Sequence, residues 1–552
     1  MDKSVRVELK TNFNTNLWKK ILDHSSSGSN FVFISSSPFN IFAPSQQIDK
    51  DSFQVYFCRF DDFGEQVKNY LFSDNVQSQY ELEKSITIFL EEVTRSAKLS
   101  RKTILFLPTL DSLNFSSYIF NSHAEISKKL YGIRKLYIEY FNKQSEHILL
   151  IDPYLLSEFK PEFDQRNWQW NKCPYSISTI QEISAHLISI IETLLLPRKK
   201  VVVIDLDNTL WGGVVSEDGI DGIMCGEGNP LEESFYQFQK EIKILKESGF
   251  LLAICSKNNE DLIIETFSKR RGFVLNLKDF VIWRINWNSK PQNIREMAIE
   301  LNLGTDSFIF IDDSPTERAQ IEAEMPEVTV FEMNSDPAQR IKAMRRFSDF
   351  YKYSLLLEDT VKTKLYQDDK KRSSFITVER TNASSNWITE LEIQLEYSIL
   401  STQNIVRIVQ LMGKTNQMNM SNRRLTENQI RNETDSKNYI FYSVSAADKF
   451  GHYGIIGVVS YSVENSICTI KDLLFSCRIL GRKIEHKVVL DLLNFLPNSV
   501  KFIMFEFVST EKNQPMSNFL MELGVKDNEK VQIEMLKKVL ELLPQMRATW
   551  VS

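Results

Sequence analysis

The stretch VVVIDLDNTLWGG, residues 201–213, decides the fold of the middle of the chain. Its four leading β-branched residues predict a buried parallel strand, and the carboxylates of Asp205 and Asp207 follow at the carboxyl end of that strand. Alternation along the strand predicts that both carboxylates point to one side, while Leu206 points into the core. Open α/β sheets place their chemistry in the crevice at this end of the strands. The stretch therefore predicts an α/β domain with an acidic site at its sheet edge.

Two neighbouring carboxylates repel each other, so a divalent cation is the natural group to neutralise Asp205 and Asp207. Oxygen ligands suit Mg²⁺, which binds through one or two carboxylates and substrate phosphate. The alternative is an acidic strand end that only caps the next turn. Three later motifs favour the metal site over this alternative.

Each later motif follows an apolar run or opens a helix. Ser256 ends the run LLAICS, where its hydroxyl and the following N–H groups can hold a phosphate oxygen. Lys290 stands just before a predicted helix and supplies a point charge for a phosphoryl group. Asp312 and Asp313 end the run FIFIDD and supply further oxygen ligands for a metal. Each residue alone has an ordinary structural role open to it, whereas their common placement favours one phosphate and metal site.

Four sequence features together resemble the four-motif set of the haloacid dehalogenase (HAD) superfamily. They are the motifs DLDNT, CSKNN and IDDSPTER, and Lys290 between the last two. The longer motifs DLDNTLWGG, CSKNN and IDDSPTER resemble its FkbH-like branch, subfamily IIIC, most specifically over residues 200–335. This resemblance implies a Rossmann-like HAD domain in which Asp205 attacks phosphorus and Asp207 acts as general acid/base. It also implies that Asp312 completes a Mg²⁺ site with Asp205 and the backbone carbonyl of Asp207.

The predicted site residues of this domain fall into three groups. They are, for catalysis, Asp205 and Asp207; for phosphate binding, Thr209, Ser256, Lys257 and Lys290; and for the metal, Asp205, Asp207, Asp312 and Asp313.

The spacing of the motifs leaves no room for a large inserted cap domain. Ser256 follows Asp207 by 49 positions, and Lys290 follows Ser256 by 34. An uncapped site admits a bulky substrate or is covered by another domain of the chain. Residues 211–213, Trp-Gly-Gly, predict either a tight flap at the mouth of the site or an ordinary hairpin turn.

Residues 1–195 predict a small three-layer α/β domain. Apolar runs at 31–36, 53–58, 103–108 and 147–152 predict strands, and 77–99 has helical spacing. The family resemblance implies an SGNH-hydrolase-like fold, whose catalytic form needs a serine after its first strand and a late aspartate followed by histidine. Residues 35–40, Ser-Ser-Ser-Pro-Phe-Asn, follow the first predicted strand, but no histidine follows Asp152, and His147 precedes it. This domain is therefore predicted to be a non-catalytic scaffold or docking surface.

The remaining boundaries follow from composition. We predict an SGNH-like domain at 1–195, a HAD-like domain at 196–345, a linker at 346–374 and a third domain at 375–552. The charged run at 368–372, Asp-Asp-Lys-Lys-Arg, is interpreted as a solvated face of the linker.

The third domain combines antiparallel strands with a helix that begins after a glycine turn. Strands are predicted at 441–446, 454–463 and 467–475, and a helix at 484–493. The turn that opens this helix forms an anion cradle from backbone N–H groups.

The sequence of this turn, Arg478-x-x-Gly481-x-Lys483, resembles the turn by which GCN5-related acetyltransferases (GNAT) hold the pyrophosphate of coenzyme A. Lys483 departs from the usual small last residue. The resemblance implies a GNAT-like α+β domain that binds the phosphopantetheine arm of an acyl carrier protein through Arg478, Gly481 and Arg482. The alternative is a fold reused without a ligand.

Transfer of an acyl group to a carrier thiol favours a cysteine waypoint, because a thiolate accepts and releases acyl groups readily. Cys477 is the first candidate, since Arg478 and a helix N-terminus favour its thiolate, and Cys255 beside Ser256 is the second. The alternative for each is an inert core cysteine. His452, predicted in a loop, is a candidate base or an ordinary hydrogen-bonding residue.

Composition narrows the class of protein. The 552 residues correspond to roughly three to four domains of about 150 residues, with 42% hydrophobic and 25% charged residues. A net charge of −6 and a pI near 5.8 do not indicate the basic surface that nucleic-acid binding needs. No signal-peptide core or long apolar run is present, so we expect a cytoplasmic protein that does not contact membranes. The six cysteines lack CxxC spacing, which argues against zinc and disulfides.

These patterns predict a Mg²⁺-dependent HAD-type enzyme with a small phosphorylated substrate. The FkbH-like resemblance implies that it dephosphorylates 1,3-bisphosphoglycerate and loads the glyceryl-type unit onto an acyl carrier protein in polyketide or related biosynthesis. One alternative is a plain phosphatase of another small phosphate. The other is an acyl-coenzyme-A-dependent acyltransferase with a supporting HAD domain.

Overall fold

Three β-sheets organise the chain in the computed structural model. The structure describes residues 5–25, 31–35, 48–72, 75–109, 123–141, 148–156, 163–195, 199–301, 303–352, 363–369, 371–372, 375, 387–401, 404–436, 439–476, 479–525, 529–540 and 546–551. Within these ranges, two sheets are parallel and the third is mixed, so the chain is a multidomain α/β protein.

The first sheet has five parallel strands in the order β2-β1-β3-β4-β5. Its strands are β1 (Val5–Lys10), β2 (Phe31–Ser35), β3 (Phe53–Arg59), β4 (Lys102–Thr109) and β5 (Ile148–Ile151). Helices Asn16–Ser25 and Ile177–Leu195 pack on one face, and Glu65–Phe72, Val76–Leu99 and His123–Phe141 pack on the other. A short helix, Gln165–Asn171, precedes Ile177–Leu195. The four predicted strands and the three-layer arrangement are confirmed, and β1 is an additional strand.

The residues considered for an SGNH-type site in this unit are only partly described. The Asp152 carboxylate accepts the N–H of Tyr154, 3.0 Å away, at the start of a short 3₁₀ helix, and it pairs with Arg134. Residues 36–47 and His147 lie outside the described residues. The non-catalytic role of this unit stays a prediction.

The second sheet is the one that the opening sequence motif predicts. Its five parallel strands have the order β10-β9-β6-β7-β8. They are β6 (Val201–Ile204), β7 (Leu251–Ser256), β8 (Phe280–Ile285), β9 (Phe308–Ile311) and β10 (Thr329–Val330). The helices are Val215–Gly222, Pro230–Glu247, Glu260–Lys269, Lys290–Leu301, Pro315–Glu324 and Pro337–Arg346. Strand β6 is central and fully buried, which explains its uninterrupted β-branched sequence.

The segments between the motifs contain only the helices and strand of this layered unit. Residues 199–301, all of which the structure describes, hold no inserted cap domain, as the spacing predicts. Gly212 exchanges two backbone hydrogen bonds with Met224, 2.8 and 2.9 Å long, and Trp211 is fully buried. Residues 211–213 therefore form a packed turn rather than an open flap.

The third sheet has seven strands in the order β16-β15-β14-β13-β12-β11-β17. They are β11 (Gln394–Ile399), β12 (Ile440–Asp448), β13 (Gly451–Glu464), β14 (Ile467–Phe475), β15 (Phe502–Phe505), β16 (Val531–Gln532) and β17 (Arg547–Val551). Its helices are Trp387–Glu390, Ile405–Lys414, Glu427–Asp435, Ile484–Phe495, Gln514–Glu522 and Ile533–Leu540. The predicted antiparallel strands are confirmed in β12, β13 and β14.

The first four residues of β14 pair in parallel with the whole of β15, from Ile467 opposite Phe502 to Ile470 opposite Phe505. Beyond that point, residues 418–420 lie between β14 and the chain that follows β15. The Met420 N–H donates to Leu473 O at 3.0 Å, and the Val508 N–H donates to Met420 O at 2.9 Å. Residues 418–420 thus fill the opening between the two strands.

The predicted solvated face at 368–372 is wrong for two of its residues. Arg372 and Asp368 are 1% and 4% exposed. The Arg372 Nε atom lies 2.7 Å from an Asp448 carboxylate oxygen, and its guanidinium lies 3.9 Å from the centre of the Tyr453 ring. The charge of Arg372 is buried because Asp448, the last residue of β12, supplies an opposite charge from far along the sequence.

The same segment also contacts the central unit. The Gln367 side-chain amide donates to the carbonyls of Lys278 and Phe280 at 2.9 and 3.2 Å. The predicted linker therefore includes residues that bind both neighbouring units. Among the helices within the described ranges, none has the length and apolar character needed to span a bilayer.

Candidate active site

The predicted site residues converge at the carboxyl ends of three adjacent strands. Asp205 follows β6, Ser256 ends β7 and Asp312 follows β9. Lys290 is the first residue of helix Lys290–Leu301. Because parallel strands carry their carboxyl ends to one edge, residues far apart in sequence meet in one crevice.

A buried lysine joins two buried carboxylates at the centre of the site. The Lys290 Nζ atom lies 2.8 Å from Asp205 Oδ1 and 2.5 Å from Asp312 Oδ2. Lys290 is 3% exposed, Asp205 is 7% exposed and Asp312 is fully buried. The Ser256 hydroxyl also hydrogen-bonds to the Asp205 carboxylate.

The electrostatics of this cluster disfavour a second negative charge. Burial raises the pKa of Asp205 to about 7, an effect that the Lys290 ammonium opposes and the Asp312 carboxylate reinforces. Burial also raises the pKa of Asp312. The pKa of Lys290 is raised in turn, since the attraction of both carboxylates outweighs the effect of its burial. Lys290 is thus held charged, and the carboxylates compete for its single positive charge.

The donor set fits a hard divalent cation. Asp205, Asp312 and Asp313 offer carboxylate oxygens that all lie within 4.8 Å of one another. Oxygen-only sets of this kind suit Mg²⁺, whose charge would relieve the repulsion among the three carboxylates. These three residues could hold the ion, and phosphate and water oxygens could complete its shell.

The fourth predicted metal residue, Asp207, has its carboxylate bound elsewhere. Its Oδ1 atom accepts the indole N–H of Trp211 at 2.9 Å and the backbone N–H of Val215 at 3.1 Å. Its Oδ2 atom accepts the side-chain amide of Asn258 at 2.8 Å. A metal contact through the Asp207 backbone carbonyl stays a prediction. Asn258 was missed by sequence reasoning, although it stands two positions after Ser256 in the motif CSKNN.

Two predicted phosphate ligands have internal partners instead. The buried Thr209 hydroxyl donates to Asp313 Oδ1 and accepts the Asp313 N–H, both at 3.0 Å. Thr209 therefore orients a candidate metal ligand. Lys257 pairs with Glu317 at 2.7 Å. Of the four predicted phosphate ligands, Ser256 and Lys290 lie in the central cluster.

Two arginines that the sequence did not single out fix the loops of the site. Arg318 donates from Nη1 to the carbonyls of Asp312 and Asp313, both at 2.8 Å. Arg340 donates to the carbonyl of Asn208 at 3.0 Å, and Asn208 has a left-handed backbone with φ 55°. Arg318 lies within the motif IDDSPTER and could have been noticed there, whereas nothing local marks Arg340.

The structure does not support Cys255 as an acyl carrier. Its side chain is fully buried in an apolar cluster with Ile294 and Met297. Burial raises the pKa of the Cys255 thiol to about 12, which disfavours the reactive thiolate. The alternative of a core-facing position at the end of β7 fits these observations.

The candidates in the third unit are partly described. Cys477 and Arg478 lie outside the described residues. Gly481 adopts φ 78°, which favours glycine, and Arg482 is buried with its guanidinium 5.5 Å from the centre of the Tyr453 ring. His452 is exposed and lies within β13, opposite Ala447, so its predicted loop location is wrong.

Lys483 is held by a neighbouring helix. Its Nζ atom lies 3.0 Å from a Glu522 carboxylate oxygen, and the same oxygen lies 3.0 Å from His486 Nε2. Lys483 also has a left-handed backbone, with φ 58°. The departure from a small residue at this position is therefore accommodated by a specific ion pair.

No family model and no curated protein matches the chain. Among solved structures, it is similar to the N-terminal part of the protein BF1531 from Bacteroides fragilis, which contains a phosphatase domain and was crystallised with Mg. The identity is 25% and the TM-score 0.52, over 64% of this chain and 95% of that one. A domain from Methanocaldococcus jannaschii matches with 16% identity and a TM-score of 0.21, over 25% of this chain and 99% of that domain, too low to support a conclusion. The Mg of the first structure is consistent with the Mg²⁺ cofactor expected from the sequence.

Proposed function

We propose that the chain is a Mg²⁺-dependent phosphatase of the HAD type, with Asp205 as its nucleophile. The observation that carries this proposal is the buried cluster of Asp205, Lys290, Asp312 and Ser256 at the end of the central strand. The similarity to a structure that contains a phosphatase domain complexed with Mg supports it.

Asp205 attacks phosphorus in this proposal, forming a bond from a carboxylate oxygen while the bond to the leaving-group oxygen breaks. The Ser256 hydroxyl and the Lys290 ammonium, both within the cluster, hold the phosphoryl oxygens and offset the charge that develops on them. Asp205, Asp312 and Asp313 would hold the Mg²⁺ ion, which when bound supplies charge neutralisation and a fixed orientation for the phosphate.

Asp207 acts as the general acid and then as the general base in this proposal. It gives a proton to the leaving-group oxygen in the first step and takes one from the attacking water in the second, when inorganic phosphate is released and Asp205 is restored. Its carboxylate is oriented by three N–H donors rather than by the metal cluster, which leaves it separate from the charge-neutralising groups.

Release of inorganic phosphate from small phosphate monoesters tests this function. Asp205→Asn should abolish release in the presence of Mg²⁺, because the amide cannot form the covalent intermediate. The matched control is Asp261→Asn, the same change at an exposed position in the first turn of helix Glu260–Lys269, and it should keep wild-type rates. Continued phosphate release by Asp205→Asn would refute the proposal.

We further propose that the substrate is a phosphorylated three-carbon acyl phosphate of the 1,3-bisphosphoglycerate type and that the glyceryl-type unit passes to the thiol of an acyl carrier protein. Residues 199–301 hold no inserted cap domain, which is compatible with access of a carrier protein to the site. The resemblance of the Gly481 turn to the GNAT turn supports a phosphopantetheine arm. Residues 418–420 fill the opening between β14 and Val508, so the arm in this proposal is assigned to the Gly481 turn and not to that opening. In the transfer, a thiolate attacks the carbonyl carbon and the carboxyl-bound phosphate leaves as inorganic phosphate. Asp205 removes the other phosphate, the ester at the far end of the three-carbon unit, and a glyceryl group remains on the thiol.

Intact-protein mass spectrometry after incubation with Mg²⁺ and 1,3-bisphosphoglycerate tests this extension. A glyceryl adduct is expected on the wild type and on Cys255→Ala, because Cys255 is buried, and it should be absent from Cys477→Ala. Phosphate release without any adduct would instead support the plain phosphatase. Transfer from acyl-coenzyme A that persists in Asp205→Asn would support the acyltransferase alternative.

A further inference from the structure

Both oxygens of the Asp207 carboxylate accept hydrogen bonds from N–H donors of residues that are not candidate metal ligands. Oδ1 accepts from Trp211 and Val215, and Oδ2 accepts from Asn258, at distances between 2.8 and 3.1 Å. A carboxylate offers about four lone-pair directions, so three are used and one remains, on Oδ2. The remaining lone-pair direction on Oδ2 is therefore the one from which Asp207 can exchange a proton with a substrate.

The indole N–H of Trp211 cannot turn away from this carboxylate. Trp211 is fully buried, and its ring stacks on Phe273 with centroids 5.4 Å apart and planes 10° apart. Phe267 packs edge-on against the same ring at 5.8 Å. A buried tryptophan needs one acceptor for its N–H, and here that acceptor is the proton-transfer group of the proposed reaction.

Asn258 ties the carboxylate to the phosphate-holding loop. It is 3% exposed, and its amide nitrogen lies 2.8 Å from Asp207 Oδ2 and 3.5 Å from the Ser256 hydroxyl. The two loops that follow β6 and β7 therefore meet at one amide group. The position of Asp207 relative to the bound phosphoryl group depends on this contact.

We infer that Trp211 and Asn258 are positioning residues, which fix the Asp207 carboxylate so that Oδ2 delivers the proton to the leaving group. This inference rests on the proposed phosphatase function. Rotation of a carboxylate about its terminal torsion is soft, so the loss of either side-chain donor frees it to leave the productive orientation. General acid catalysis depends on that orientation, because the proton moves only within hydrogen-bond reach.

The dependence of kcat/KM on the leaving group separates positioning from simple damage. An alkyl phosphate needs a proton on its departing oxygen, whereas the acidic leaving group of 4-nitrophenyl phosphate departs without one. Trp211→Phe, which keeps an aromatic ring in the stack, should lower kcat/KM for the alkyl phosphate about ten-fold and for the aryl phosphate less than about two-fold. Asp207→Asn should show the same bias at about 10²- to 10⁴-fold.

Trp283→Phe is the matched control. The Trp283 indole also donates to a carboxylate, Glu260 at 2.7 Å, but on the flank of the domain rather than in the site, so both substrates should turn over at wild-type rates. Asn258→Ala provides a second variant if Trp211→Phe fails to fold, with the same expected bias. The Mg²⁺ affinity of both variants should equal that of the wild type.

Equal losses for the two substrates, or no loss for either, would overturn the positioning role. Those results would leave the phosphatase proposal standing, provided that Asp205→Asn is inactive. Phosphate release that survives Asp205→Asn would instead refute the proposed function itself, and the two failures are therefore distinguishable.

Discussion

Lowering the pH from 8 to 6 should weaken Mg²⁺ binding about ten-fold, because a proton on Asp205 competes with the cation. Burial raises the pKa of Asp205 to about 7, so about one carboxyl group in eleven is ionised at pH 6 and about ten in eleven at pH 8. The ionised fraction thus changes about ten-fold, which equals about 1.4 kcal/mol of binding free energy. Burial raises the pKa of Asp312 as well, which acts in the same direction.

Isothermal titration calorimetry with Mg²⁺, at pH 6, 7 and 8 and in two buffers of different ionisation enthalpy, measures this effect. The protein should release close to one proton per ion at pH 6 and about a tenth of one at pH 8. Asp205→Asn should bind Mg²⁺ more weakly at pH 8 and lose most of the pH dependence. The exposed Asp261→Asn should behave as the wild type.

A dissociation constant that is the same at pH 6 and pH 8 would refute the reasoning, since it would mean that Asp205 is ionised over the whole range. If the pH dependence of Mg²⁺ binding persists in Asp205→Asn, the proton that competes with the cation belongs to another group.

Three further outcomes follow from buried charges. In the metal-free protein, the free energy of unfolding should fall as the pH rises from about 4 to about 7, because folded Asp205 keeps a proton that the unfolded chain releases. Urea titrations at several pH values should show this decrease, and Asp205→Asn should remove it. Lys290→Met should lower that free energy by about 3–5 kcal/mol at pH 8, and Mg²⁺ should restore part of it in thermal melts, because two buried carboxylates lose their counter-charge. Arg372→Ala should cost about 3 kcal/mol in urea titrations because it removes the counter-charge of buried Asp448, whereas the exposed Lys364→Ala should change stability by less than about 0.5 kcal/mol.

The central sheet and the core of its site could be predicted because both depend on local sequence. An uninterrupted β-branched run specifies a buried parallel strand, and parallel strands bring Asp205, Ser256 and Asp312 to one edge without any knowledge of side-chain packing. Strand β1 was missed, although the alternation of its apolar residues with Arg6, Glu8 and Lys10 is the pattern of a half-buried strand.

The hydrogen-bond and ion-pair partners of several residues could not be predicted, because these partners come from distant parts of the chain. Arg340 reaches the carbonyl of Asn208 from 132 positions away, and Arg372 is buried by Asp448 from 76 positions away. A charged side chain is solvated unless an opposite charge is brought to it, and only the three-dimensional structure shows where that happens. Solvation was therefore the wrong expectation for Arg372.

The balance of charge in the site implies an order of binding. Lys290 supplies one positive charge between Asp205 and Asp312, and Asp313 adds a third carboxylate within 4.8 Å of the other two. A phosphate group brings further negative charge, so its binding to this cluster is unfavourable while the carboxylates are ionised. While Asp205 is protonated, the phosphate binds more easily, but Asp205 cannot attack it. A divalent cation held by Asp205, Asp312 and Asp313 would meet both conditions, since its charge would favour ionised Asp205, the proposed nucleophile, and would offset the charge of the phosphate. The substrate of the proposed reaction should therefore bind after the cation rather than before it.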